Sequence, residues 1–160
     1  MKKSNTEKGF SALEVVVGAA IILTATLAIL GAYGAFLSAA LRGTRAMQAT
    51  LLIEEAIEAV KFMRDSGWSG NIAGRVSNTP YYLTFDGSAW SISTLNQYID
   101  GVFERQIRFS DVYRDSEDNI VPSGTLDAGT KKMAVTVSWS VGQATTSRSA
   151  SVYVADLFAN

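Results

Sequence analysis

The chain has 160 residues, a formal charge of −1 and 48% apolar residues, enough for one modest domain. Collagen-like, disulfide-framework and wholly disordered classes are excluded by this composition. With neither histidine nor cysteine, Ser-His-Asp and Cys-His catalysis, histidine or thiolate metal sites, iron–sulfur clusters and disulfides are excluded as well.

The apolar residues are unevenly spread. Between residues 10 and 41, 24 of 32 positions are apolar. The rest of the chain has the composition of an ordinary globular domain. Beyond Leu41 the sequence holds 11 Lys+Arg and 13 Asp+Glu. That balance argues against a nucleic-acid partner and against a polybasic membrane patch.

The first nine residues, Met-Lys-Lys-Ser-Asn-Thr-Glu-Lys-Gly, are polar and lysine-rich. Phe10-Ser11-Ala12-Leu13-Glu14 follows, and then residues 15–41 run without a charge. A bilayer core needs about 20 apolar residues as helix. This run is long enough, and too long for the about 7–15 residues of a secretory signal core. Glu14 stands out, because a carboxylate at mid-helix costs about 2.5–3.5 kcal/mol on insertion scales. Two readings fit that position: a functional carboxylate, or a solvated group at the headgroup level that marks the helix start.

Gly9, Phe10 and Glu14, after a basic leader and before a long apolar helix, resemble the processing site of type IV pilins and type II secretion pseudopilins. The resemblance implies cleavage by prepilin peptidase between Gly9 and Phe10, N-methylation of Phe10, and filament assembly through Glu14. In that family the glutamate pairs with the N-terminal amine of a neighbouring subunit. Such a pair sets register more than it adds stability, because desolvation offsets the attraction. Ala12 departs from the pattern, which usually has a larger apolar residue there. The implied partners are the peptidase, other pilin or pseudopilin subunits, an inner-membrane assembly platform and the lipid bilayer. No cofactor, no metal and no enzymatic activity are expected. The leader is expected to be cytoplasmic and the precursor single-pass in the inner membrane. The assembled form is expected in a periplasmic filament or a fimbrium at the cell surface. Lysine and arginine counts on the two sides of the apolar run tie, so orientation follows from the resemblance alone.

Helical periodicity continues past the membrane run. Leu52, Ala56, Val60 and Met63 recur at three- and four-residue spacing, with Glu54, Glu58, Lys61 and Asp65 on another face. A straight helix over residues 10–64 is about 80 Å long. Gly31 and Gly34 lie within the apolar part and are expected to form a soft point. Close helix–helix packing in a filament core is a compatible reading.

Residues 66–80 are Gly/Ser/Asn-rich and read as a loop. Residues 81–85, an Asp86-Gly87 turn and residues 89–93 read as a hairpin. Residues 94–100 read as a connection or a helical turn. Residues 102–113 alternate, with Phe103, Ile107, Phe109 and Tyr113 on one face and Arg105 interrupting it. In residues 133–141, Met133, Val135, Val137, Trp139 and Val141 point inward, and residues 149–154 add a last strand. The expected fold is α+β: a long N-terminal helix, transmembrane then amphipathic, packed on a four- to five-stranded antiparallel sheet. The resemblance implies the pilin fold. The expected segments are a leader at 1–9, a transmembrane helix at 10–41, its amphipathic continuation at 42–65 and a sheet domain at 66–160. The stretch from Thr130 to Trp139 and the final strand resemble minor pilins and pseudopilins more than major adhesive ones.

Three other features admit a bland and a functional reading. The acidic stretch from Asp111 to Asp127 offers oxygen ligands for calcium, but its spacing is not that of an EF-hand loop, and a solvated connection is the simpler account. Trp68, Trp90, Trp139, Tyr81 and Tyr82 read as core and turn packing before they read as a binding surface. Arg42 and Arg45 could meet lipid headgroups or a neighbour's Glu54, Glu55 and Glu58. Rival functions are a tip or minor pilin that binds DNA or a surface ligand through Arg64, Arg75 and Arg148, and a signal-anchored protein that never assembles.

Overall fold

The structure is a computed structural model that describes Gly9 and residues 11–158. One helix, α1, runs from Ala12 to Ser66. Seven strands follow: β1 (Tyr81–Phe85), β2 (Trp90–Ser93), β3 (Tyr98–Ile99), β4 (Phe103–Arg114), β5 (Ile120–Val121), β6 (Thr125–Val141) and β7 (Ala144–Ala155). The chain divides into two compact units between Gly43 and Thr44.

In the first unit, none of the described residues is buried. Fourteen large apolar side chains from Leu13 to Leu41 are exposed. Covering them is worth on the order of 20 kcal/mol. This segment is long and apolar enough to cross a membrane. Its two threonines bond back to the helix: Thr24 Oγ1 donates to Ala20 O at 3.0 Å and Thr26 Oγ1 to Ile22 O at 2.8 Å.

In the second unit, the rest of α1 packs on the sheet. Ala49, Ile53, Ala56, Val60 and Met63 are buried, at the alternating four- and three-residue spacing of one helix face. Alanine at positions 49 and 56 lets the helix axis come close to the strands. The opposing layer is Ile107, Phe109, Met133, Val135 and Val137. The helix ends where Gly67 takes a φ of 150°, open only to glycine at no cost. Asn71 Nδ2 then donates to Met63 O at 2.8 Å and satisfies one of the terminal carbonyls. Within the expected loop, Ser69–Ala73 forms a single π-helical turn that buries Ile72.

The sheet is antiparallel, in the order β2-β1-β4-β6-β7. It has seven strands, more than the four or five expected. The surplus is β3 and β5, two residues each, which pair with β4 at Glu104 and Phe103 and at Tyr113 and Arg114. They exist because β1 meets β4 only at Gln106 and Ile107. The remaining β4 backbone groups on that edge need partners, and short connections supply them. Asn78 N–H supplies another, donating to Phe109 O at 2.8 Å.

Two boundaries differ from expectation for the same reason, a local backbone device. The register between β4 and β6 shifts between Asp111 and Val112, so that Asp111 faces Lys131 while Val112 faces Asp127. This bulge reverses the alternation: Val112 is buried, and Tyr113, expected on the core face, is only half-buried. The other device is the turn at Gly142-Gln143. Gly142 has a φ of 64° at the first of two central positions, as a II′ hairpin requires. Residues 144–147, expected within a loop over 142–147, therefore pair with β6 from the turn onward.

Candidate assembly site at the start of the helix

Ser11 and Glu14 make a reciprocal pair of bonds. Ser11 N–H donates to Glu14 Oε2 at 3.1 Å, and Glu14 N–H donates to Ser11 Oγ at 3.2 Å. This is a capping box, which satisfies two amides that have no partner within the helix. The carboxylate also lies in the first turn, where the helix dipole favours negative charge. The sequence signal was present: Ser11-x-x-Glu14 directly before an apolar run. It shows what holds Glu14 in place locally, and it explains why α1 starts at Ala12. Gly9 is exposed, and a Cβ built on it meets nothing within 4 Å. Its backbone is open to close approach. Phe10, expected at the cleavage and methylation position, lies outside the described residues, as does the leader at residues 1–8.

Gly31 and Gly34, the expected soft point, stand in uninterrupted helix. Side chains built there meet no neighbour.

The acidic stretch is divided among separate partners. Asp111 accepts from Lys131 Nζ and Ser77 Oγ, both at 2.6 Å. These two bonds, the lysine's first, hold its carboxyl below the ordinary range. Asp127 accepts from Arg114 Nε at 2.7 Å and is lowered chiefly by that bond. Asp115 closes its own loop by accepting from the N–H groups of Asn119 and Glu117, each at 2.9 Å. The Asn119 amide is the larger cause of its lowered pKa. Among the described residues, no group of three or more acidic side chains converges where a metal ion could be held. The pairs Asp111–Lys131 and Asp127–Arg114 brace the two sides of the β4–β6 bulge.

The three arginines of the rival binding surface have different neighbours. Arg64 pairs with Asp65 at 2.8 Å. Arg75 donates from Nε to Asn71 O at 2.8 Å and lies over the Tyr81 ring at 5.6 Å. Arg148 lies on β7 beside Glu54 and Ile57. Of the five aromatics considered for a binding surface, Trp68, Trp139, Tyr81 and Tyr82 are buried. Trp90 stacks on Phe85 with ring centroids 5.0 Å apart. The acidic stripe of α1 is partly neutralised from within: Glu58 pairs with Lys61 at 2.8 Å and Glu55 with Arg105 at 2.9 Å. Arg45 donates to Ser140 O at 2.9 Å.

Arg105 is the residue whose importance was least visible in the sequence. It interrupts the apolar face of β4 because it is buried between sheet and helix and reaches Glu55. Its guanidinium also lies over the Trp90 ring at 5.5 Å. Burial pushes its pKa down, and the Glu55 charge opposes that shift. The visible signal was a cation in core phase on a strand, which demands an acidic partner within reach; Glu55, at the edge of the helix, supplies it.

In comparisons with family models, curated proteins and solved structures, nothing matches this chain.

Proposed function

We propose that the chain is a structural subunit of a type IV pilus or pseudopilus filament. One observation carries this reading most: a carboxylate, Glu14, fixed in the first turn of a helix whose next 27 residues are uncharged and, as far as Gly43, bury nothing. An exposed glycine stands at position 9. In this reading the prepilin peptidase cuts between Gly9 and Phe10 and methylates the new amine. The precursor waits in the inner membrane with its leader in the cytoplasm. On assembly, the apolar part of α1 moves from lipid to the filament core, and Glu14 meets the amine of a neighbour. The sheet faces outward, and the chain itself catalyses nothing.

The capping box favours a second reading, in which Glu14 only starts the helix of a signal-anchored protein. Glu14→Gln separates the two. Glutamine closes a capping box as glutamate does but carries no charge. Loss of filament incorporation with the helix intact supports assembly through the charge; normal incorporation of this variant removes that role. Mass spectrometry of the N-terminal peptide from native membranes tests the whole reading. A peptide that begins at Phe10 with one added methyl is expected. An intact leader in cells with active prepilin peptidase would overturn it.

A further inference from the structure

The two long sides of the sheet are treated differently. On one side of β4 the backbone is covered piecewise by β3, β1, Asn78 and β5. On the other side the sheet ends in β7, twelve residues paired to β6 without a break from Ala144 to Ala155. This edge strand contains no proline, glycine or lysine and no bulge, the usual devices that blunt an edge. Residues flanking a two-residue turn exchange both hydrogen bonds, and the pattern then repeats every second residue. Counting from Ala144, the even residues of β7 bond to β6. Thr145, Ser147, Ser149, Ser151 and Tyr153 turn their N–H and C=O groups to the free edge.

A groove runs beside this edge. It has a volume of about 300 Å³ and is lined by Thr50, Ile53, Glu54 and Ile57 from α1 and by Arg148, Ser149 and Ala150 from β7. Among the described residues, neither Glu54 nor Arg148 has an ion pair or hydrogen bond from its side chain. A free strand edge beside a partly apolar helix groove is the arrangement that accepts an added strand, with alternate side chains in the groove.

The segment just after β7 has the matching chemistry. Asp156 is followed by Leu157 and Phe158, two large apolar side chains at 61% and 71% exposure. Here the segment bends at Leu157 and Phe158, with Phe158 N–H donating to Asp156 Oδ1 at 3.1 Å. Once extended along a receiving strand, Asp156 and Phe158 share one face and Leu157 takes the other. The groove presents the complement at the same two-residue spacing: Arg148 for the carboxylate, and Ala150 with Ile53 and Ile57 for the ring. The groove on the other side of α1, lined by Glu55, Glu58, Phe62, Phe85 and Trp90, has no lysine or arginine in its lining for Asp156, and its two carboxylates already pair with Arg105 and Lys61. Within one chain the segment is remote from its receptor, because Ser149 and Ala155 are separated by about 20 Å of extended strand.

We infer that β7 and its groove receive the Asp156–Leu157–Phe158 segment of a second copy of this chain as an added strand. The contact is heterologous: the donor's own β7 stays free to receive a third copy. Repetition gives an open chain of subunits unless the rotation closes. The inference goes beyond the filament reading and does not depend on processing at Phe10.

With Asp156 across Arg148 and Phe158 across Ala150, the added segment runs parallel to β7 and Leu157 lies across Ser149. The chain has no cysteine, so introduced thiols are the only ones. Full-length Ser149→Cys and Leu157→Cys chains, co-expressed and oxidised in membranes, are expected to give a mixed disulfide dimer. The double variant is expected to give a ladder, since an intrachain bond requires Cα atoms within about 7 Å. Arg148→Glu in the receiving chain should lower the dimer yield about fivefold, and Asp156→Arg in the donor should restore it. Tryptophan fluorescence checks that each variant is folded.

Absence of the mixed dimer from folded chains overturns the inference. So does a dimer from Ser149→Cys alone, which would mean that β7 meets β7. Ladders from chains with an uncut leader keep this contact and remove the filament reading. Processed, methylated chains without the mixed dimer remove only this contact.

Discussion

Residues 12–43 and 44–66 belong to one unbroken helix, yet the first part buries nothing and the second buries Ala49, Ile53, Ala56, Ala59, Val60 and Met63. The first part is apolar on every side, and only a uniformly apolar surrounding can cover it. The second is apolar on one stripe and charged on the other, so it needs one sheet and water. The helix itself tells these apart in no way; its hydrogen bonds are the same. The difference lies in where side chains can go. The β-branched residues of the first part, among them Ile21, Ile22, Thr24 and Thr26, are tolerated in lipid because every backbone group must be paired internally there.

Paired substitutions test that comparison most strongly. Phe109→Ala, in the core against the helix, is expected to lower unfolding free energy by about 3–5 kcal/mol in denaturant titration. Phe36→Ala, on the unburied part of α1, should leave that value unchanged within about 0.5 kcal/mol. Equal losses would mean that the two parts of the helix are covered by the same structure.

Arg105→Ala comes next, at about 2 kcal/mol, because Glu55 keeps a partly exposed charge without its partner. Arg105→Met, which fills the same space, should cost less than the alanine variant. A Met variant as unstable as the alanine variant would show that the charge pair, not the volume, holds β4 to α1.

Gly124→Ala should cost about 1–3 kcal/mol. A Cβ there collides with the backbone carbonyl of Arg114, where β4, β5 and β6 meet. Hydrogen exchange should speed up first at this end of the sheet. The unburied part of α1 should be unaffected.

Acid affects the bulge. The carboxyl of Asp111 has a folded-state pKa below its ordinary value of 3.8. Its stabilisation is therefore complete above the unfolded value and is lost as pH falls through the lower folded value. Stability of the natural chain should fall below about pH 4, and Asp111→Asn should flatten that fall. An unchanged slope would show that the Lys131 bond contributes no acid sensitivity.

The smallest expected effect is Ser11→Ala. It should weaken the helix start by about 1 kcal/mol. The readout is faster exchange of the Glu14 amide, with no change in global unfolding.

Much of this was legible along the chain. Glu54, Glu58 and Asp65 are exposed and Ala56, Val60 and Met63 are buried, as helical spacing implied. Met133, Val135, Val137 and Trp139 are buried, as alternation implied. Both patterns record which face meets water, and that is a local property. The capping box was equally local, but the oddity of a carboxylate before apolar sequence obscured its ordinary explanation.

The sequence by itself determined the apolar run, the amphipathic continuation, the hairpin at Asp86-Gly87, and the absence of histidine and cysteine chemistry. Each depends on neighbours within a few residues. Only the tertiary structure decided the partner of Arg105, the bulge at Asp111, the piecewise covering of β4 and the bare edge of β7. Those depend on backbone groups and charges brought together across 50 positions in the case of Glu55 and Arg105. No periodicity records which distant carbonyl or carboxylate will satisfy them.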